Sequence, residues 1–305
     1  MKINLILIFA FFALSVSGQK PQPKATPKAA TKSTFEKIVD AKLKEGGHKT
    51  GLSAICPVAT DSTAKKIFSE YGAVFVSEDV MLPDKCIYDS ESEVQEFQAQ
   101  PARQSAVIGG VTIVLQTAAM EALKQAVAEA QKAGLNITPR GGSRAAARSF
   151  GDTVTFWNSR LIPGLAFWVR QKRITAAQAD AVKRSGYHQQ LAQVLEWEND
   201  GIFFSKDLSK SILYSVAAPG ASQHVFMLAL DVTQYGSPKV REIMARHGWF
   251  QTVASDLPHF TYLGLMEDDP KTRESELQEL GLKKKTIGGQ DFWVPNMDLE
   301  EKNVR

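Results

Sequence analysis

The chain has 305 residues and a formal net charge of +3, with Lys and Arg scattered rather than interleaved with aromatic residues. That balance is too weak to argue for nucleic acid as a partner. Once the N-terminal segments are set aside, about 270 residues remain, which suits one elaborated domain or one domain with a small addition.

Residues 1–18 carry Lys2, an apolar run from Ile3 to Val16 and the small pair Ser17-Gly18. This is the layout of a secretory signal peptide. The run is shorter than the ~20 residues of a spanning helix, and no Cys follows it to form a lipoprotein. No later segment is long and apolar enough to span a membrane, so an exported protein, periplasmic or extracellular, is expected. Residues 19–33 are rich in Lys, Pro, Ala and Thr and read as a flexible basic linker. Cys56 and Cys86 are the only cysteines. Export permits a disulfide between them, with a chain-entropy gain of roughly 3–4 kcal/mol. Two separate buried thiols are the alternative.

A helix is expected over 34–47, with Phe35, Ile38, Val39 and Leu43 on one stripe and Gly46-Gly47 ending it. Further on, the pattern gives a short helix over Ala64 to Tyr71 and a strand over Ala73 to Val76. A helix from Glu93 to Gln98 would be capped by Ser92. His48 reads as a loop residue. Val111 to Leu115 alternates as a strand. Thr117 to Ala133 is amphipathic, with Leu123, Ala126, Val127 and Ala130 on one face and Gly134 closing it. Leu135 to Thr138 then reads as a strand ending at Pro139.

The loop Arg140-Gly141-Gly142-Ser143-Arg144 follows. Its two glycines let the backbone approach a ligand, and an arginine can pair bidentately with a carboxylate. Arg144 is therefore the candidate for holding a substrate carboxylate or polarising a scissile carbonyl, ahead of Arg140 and Arg148. Phe156 to Trp168 is apolar and aromatic, suited to packing or to lining a cleft. Thr175 caps a helix expected from Ala176 to Trp197, which carries His188 on its surface. Ile202 to Phe204 reads as a strand.

The chemistry gathers between Pro219 and Phe260. Val225 to Val232 is apolar and reads as a buried strand. His224 precedes it and Asp231 lies near its end, seven residues apart, so an ideal strand would put them on opposite faces. A bulge or turn near one end is needed to bring both to one metal. Ser237 and Pro238 start a helix that runs to about His247, Gly248 ends it, and Trp249 to Val253 returns toward His259. His224, Asp231 and His259 are good metal ligands by type, with Asp256 three residues before the last. By spacing alone a strand-capping His, a turn Asp and a loop His compete with that reading. His247 reads as a helix-terminal His, favourable to the dipole when charged.

Ser222-x-His224, with Ala229 and Asp231 after it and Asp256 three residues before His259, resembles the zinc D-Ala-D-Ala carboxypeptidase family. That group includes vancomycin-resistance-type carboxypeptidases and L-Ala-D-Glu endopeptidases. The lead-in Pro219-Gly220 and the upstream Leu135-Asn136-Ile137-Thr138 and Gly142-Ser143-Arg144 also resemble it, so the likeness spans 107–265. The resemblance implies Zn2+ held by His224, Asp231 and His259, with Asp256 as general base. Arg144 and Ser222 would contact substrate. Met227 stands where the family usually has Gly, and Asp256-Leu257-Pro258-His259 is closer to the endopeptidase form.

The implied fold is α+β, hedgehog/DD-peptidase-like: a small, mainly antiparallel sheet carrying the metal, flanked by helices. The expected layout is a signal peptide over 1–18, a linker over 19–33 and an N-terminal extension over 34–106. A zinc peptidase core would follow over 107–265 and a C-terminal extension over 266–305. In the latter, Thr272 to Leu280 reads as a helix and Lys283 to Val294 as a hairpin turning at Gly288-Gly289. The implied activity is hydrolysis of an amide in peptidoglycan stem peptides, D-alanyl-D-alanine carboxypeptidase-like first. An L-Ala-D-Glu endopeptidase and a non-catalytic zinc- or wall-binding module are the alternatives. Intact mass of the exported protein should place its N-terminus near Gln19; a retained Met1 in the exported fraction would contradict the signal peptide.

Overall fold

The computed structural model describes residues 32–48 and 50–299. The expected signal peptide, the linker as far as Thr31 and the chain end after Leu299 lie outside the described residues. The fold is α+β, with small antiparallel sheets flanked by helices. No helix among the described residues is long and apolar enough to cross a membrane.

Ser33 opens helix α1 (Thr34–Glu45) through a capping box with Glu36. Phe35, Val39 and Leu43 are buried on its inner stripe. Helices α2 (Leu52–Ile55) and α3 (Ser62–Tyr71) follow, the latter capped by Asp61. The run Gly72–Val76, expected to contain a strand, is a 3-10 turn buried on every side. A short apolar run carries no period to separate the two conformations. Helix α4 spans Glu91–Ala99 and is capped by Ser90 rather than Ser92.

Strands β1 (Arg103–Ile108) and β2 (Val111–Gln116) form a hairpin around Gly109-Gly110. Both glycines have positive φ, which the tight turn requires. β1 had no clear sequence signal of its own because it is largely exposed and half of its residues are polar. Helix α5 (Thr117–Lys132) matches expectation. Residues 135–138 do not form a strand. They run beside the sheet, where Arg140 N–H donates to Asp231 O and Thr233 N–H to Thr138 O, and only Pro139 bridges to Val232. A proline has no N–H with which to continue a ladder.

The long helix α6 (Phe150–Arg170) is capped by Ser149 and takes in the aromatic segment. Trp157, Leu161 and Leu165 bury one face of it against α7 (Ala176–Arg184) and α8 (Tyr187–Asn199). The single helix expected over Ala176 to Trp197 is thus two, broken at Ser185-Gly186. Gln190 ties the break together, accepting from Trp157 Nε1 and donating to Ser185 O. Residues 202–204 are irregular rather than a strand. Phe204 instead packs under Gly164, where even a Cβ would lie 2.5 Å from its ring.

The central sheet has β5 (His259–Tyr262) between β3 (Ala229–Asp231) and β4 (Trp249–Phe250), with α9 (Pro238–Arg246) connecting β3 to β4. The expected strand over Val225 to Val232 shortens to β3, because Gln223–Phe226 coils into a 3-10 turn. Helix α10 (Pro270–Glu279) and the hairpin β6 (Leu282–Ile287) to β7 (Gln290–Pro295) close the described chain. One continuous core joins α1, α3, α4 and α5 to the sheet, and a second lies under α6 to α8.

Cys56 and Cys86 form a disulfide with Cα atoms 5.3 Å apart. It tethers the segment leading to Tyr88, whose N–H donates to Gly220 O at 3.1 Å. Gly220 has φ +71°, and a Cβ there would fall 1.8 Å from Tyr88 O. Gly110, with φ +83° and open space around it, isolates the conformational cost. Gly110→Ala should lose about 1–2 kcal/mol, whereas Gly220→Ala should lose about 3 kcal/mol or more because backbone has to move. Equal losses in denaturant unfolding would show that the close approach is not rigid.

Candidate metal centre

Asp231 ends β3 and His259 begins β5, and the register pairs them directly across the two strands. His224 reaches the same point from the 3-10 turn before β3. That turn, with Met227 at φ +58°, supplies the break in alternation that the odd spacing demands. Met227 thus occupies a left-handed conformation that favours glycine, the residue usual there in the family resembled. Its side chain is buried and is not part of the cavity wall.

Three atoms converge. His224 Nε2 lies 3.1 Å from His259 Nδ1 and 3.3 Å from Asp231 Oδ1, and Asp231 Oδ1 lies 3.4 Å from His259 Nδ1. The outward-facing atoms of the same side chains are all engaged. His224 Nδ1–H donates to Ala146 O at 2.8 Å, since a carbonyl can only accept. Gln223 Nε2 donates to Tyr71 O, which turns Gln223 Oε1 toward His259 Nε2–H at 2.8 Å. Arg148 Nη2 donates to Asp231 Oδ2 at 2.6 Å. Thr261 also donates to Gln223 Oε1 and is itself bonded to Thr252.

Burial pushes the His224 imidazole down to about 4, with the Arg148 guanidinium adding to the shift, so the ring is neutral near pH 7. Burial acts to raise the Asp231 carboxyl, but the interactions with His224, His259 and Arg148 together outweigh it and hold Asp231 well below the usual carboxylate range. With their outer nitrogens donating to Ala146 O and Gln223 Oε1, the two rings turn their inner nitrogens, and the carboxylate its Oδ1, toward one point. Asp231 Oδ1 is buried and has no hydrogen-bond partner. Three acceptors packed this closely repel one another unless a cation sits among them. An ion about 2 Å from each donor in tetrahedral arrangement would space the donors about 3.3 Å apart, which is the spacing found. His224, Asp231 and His259 thus form a buried cluster that can hold a metal ion.

The cluster opens on a cleft of about 270 Å³. Asp256 and Ser222 line it, as the sequence led one to expect. Asp256 shows an exposed face to the cleft, yet the protein crowded round its carboxyl, and then the Asp231 charge, push its pKa up. The Ser222 hydroxyl makes no hydrogen bond among the described residues. Arg144 is placed differently from expectation. Its side chain is 49% exposed, lies 3.7 Å from Asp152 and over the Phe156 ring, and is not part of the cleft wall. Arg148, four residues later on the inner side, takes the position beside the cluster. His247 pairs with Glu129 and His188 with Asp61, both away from the cluster.

Sequence reasoning passed over Gln223, Ala146 and Tyr71, which orient the ligands. Gln223 adjoins His224, but which side chain it would meet depends on the return of β5. A scan of the chain against protein-family models finds no match, and no curated protein matches it.

The protein should bind one metal ion per chain, lost in His224→Ala and in His259→Ala. Gln223→Leu should keep the ligands but weaken metal affinity about 10–100-fold, because the ring orientation is no longer fixed. Elemental analysis and chelator competition measure both, and full metal content in the two His variants would refute the cluster.

Proposed function

We propose that the protein is a zinc-dependent peptidase that hydrolyses an amide bond in peptidoglycan stem peptides, D-alanyl-D-alanine carboxypeptidase-like. The observation that carries the reading is the convergence of His224 Nε2, His259 Nδ1 and Asp231 Oδ1 at 3.1–3.4 Å beside a cleft that also presents Asp256. Two imidazole nitrogens and one carboxylate oxygen at tetrahedral spacing, with one side open, are a donor set suited to catalytic zinc. The stem-peptide substrate is supported by the resemblance of Ser222-x-His224, Asp231 and Asp256-x-x-His259 to the zinc carboxypeptidase family. The Cys56–Cys86 disulfide fits an oxidising compartment and so supports action outside the cytoplasm.

When bound, zinc supplies Lewis acidity, which polarises a carbonyl and lowers the pKa of water toward ~7. The chain's own groups do the rest. Asp256, whose raised pKa suits a proton carrier, takes the proton of the attacking water and delivers it to the leaving amine. Arg148 holds Asp231 in place through Nη2 and uses Nε on Arg144 O. Its Nη1 makes no hydrogen bond among the described residues and is the donor assigned to the developing oxyanion. Ser222 orients the substrate backbone.

Asp256→Asn is nearly isosteric but cannot accept the proton. It should keep zinc and fold while turnover of a defined muropeptide falls ~10²–10⁴-fold by mass spectrometry of products. If Asp256→Asn loses zinc, Asp256 is a ligand. If the wild type holds zinc and cleaves no stem peptide, the protein is a binding module rather than an enzyme.

A further inference from the structure

Residues 77–90 form neither helix nor strand, so no ladder of backbone hydrogen bonds holds them in place. The Cys56–Cys86 bridge fastens this segment near its C-terminal end, where Cys86 N–H also donates to Ile55 O at 3.1 Å. Two residues further on, Tyr88 touches the chain that carries the first metal ligand. Its N–H donates to Gly220 O at 3.1 Å, and a Cβ on Gly220 would fall 1.8 Å from Tyr88 O, so the two backbones are in close contact.

The Tyr88 ring continues the connection. It lies 5.8 Å from the Phe226 ring and 5.7 Å from that of Phe97, and Phe97 in turn lies 5.8 Å from Phe226. Phe226 is buried and ends the 3-10 turn Gln223–Phe226, which also carries His224 and the Gln223 that orients His259. Helix α4, which supplies Phe97, starts directly after the segment. Its Gln98 Nε2 donates to Val225 O at 2.9 Å in the same turn. A covalent link thus runs, through one aromatic cluster and one backbone contact, to the turn that aims His224 at the cluster.

Without the bridge, the irregular segment gains conformational freedom that its few remaining contacts must offset. Such a segment opens at a lower free energy than the whole fold. Opening it removes Tyr88 from Gly220 and from Phe226, and the turn loses one side of its packing. His224 keeps its bond to Ala146 O, so the ligand is loosened rather than lost. We propose that the Cys56–Cys86 bridge is a redox gate on the metal cluster, so that the chain reaches full metal affinity only after the bridge has formed. The bridge forms by thiol–disulfide exchange with a low-molecular-weight disulfide. The two thiols give up two protons and two electrons, and the oxidant leaves as two thiols. Cys56 and Cys86 are both buried, so the gate acts as the chain matures and stays closed once folding is complete. This inference rests on the metal reading of His224, Asp231 and His259 and names the regulation of that site.

The experiment measures zinc affinity by chelator competition on the oxidised wild type and on Cys56→Ala/Cys86→Ala. Alanines also remove thiols that would bind zinc themselves. Each protein is compared at a temperature where circular dichroism shows it folded. The double variant should bind zinc about 10–100-fold more weakly, the range for losing an orienting contact behind a ligand. Amide hydrogen exchange should quicken at Tyr88, Val225 and Met227 in that variant. Gly110→Ala destabilises the fold away from this connection and should leave zinc affinity unchanged. Should the double variant fail to fold, Tyr88→Leu keeps the bridge but removes the ring against Phe226, and should weaken zinc about tenfold. Equal affinity of wild type and double variant overturns the gate, as does full affinity in Tyr88→Leu when that variant decides. An equal loss in Gly110→Ala also overturns it, since the effect is then general destabilisation. No zinc binding by the oxidised wild type removes the metal reading itself, a result distinct from equal binding by both proteins.

Discussion

Two imidazole nitrogens and a carboxylate oxygen, held 3.1–3.4 Å apart in a buried place, are the constraint on which the rest of the structure depends. Left alone, His224, His259 and Asp231 would rotate apart or share a proton. They are prevented from doing so from behind, by Ala146 O on one ring, Gln223 on the other and Arg148 on the carboxylate. Each outer bond fixes which atom is left facing inward. The folded chain therefore holds the three atoms in an arrangement that can take a metal ion.

The surrounding fold can be understood as support for those outer bonds. Pairing of β3 with β5 sets Asp231 against His259, and the 3-10 turn with the left-handed Met227 brings His224 round to meet them. Tyr71, at the end of α3, orients the Gln223 amide through its carbonyl. The segment held by the disulfide presses Tyr88 against Gly220 and so fixes the lead-in to the turn. The start of α6 adds a further hold, since Arg148 N–H donates to His224 O just before Ser149 caps the helix. Residues from the N-terminal third are thus part of the machinery that positions the metal ligands.

The cleft divides its charges. Near the cluster, Arg148 and Asp231 neutralise one another, and burial together with the Asp231 charge pushes the pKa of Asp256 up. On the α6 wall, Arg160 has no ion-pair partner among the described residues, and its buried Nε has no hydrogen-bond partner there.

The sequence by itself determined the helices with clear period and caps, among them α1, α5, α9 and α10, because their signals are local. It also determined the ligand types and the need for a turn between His224 and Asp231, since strand alternation cannot otherwise bring an odd spacing to one face. Only the tertiary structure decided what the short apolar runs became. Residues 73–76 coil because they are buried all round, 135–138 stop at a proline, and 202–204 pack under Gly164 without a strand to pair with. It likewise chose between Arg144 and Arg148. The two lie one helical turn apart in sequence and are equal in chemistry, and the packing of the α6 N-terminus against His224 turned one outward to Asp152 and the other inward to Asp231. The ability to hold a metal is a property of residue type, so the candidate residues could be read directly. Ligand orientation depends on contacts between residues far apart in sequence, and these exist only once the chain has folded.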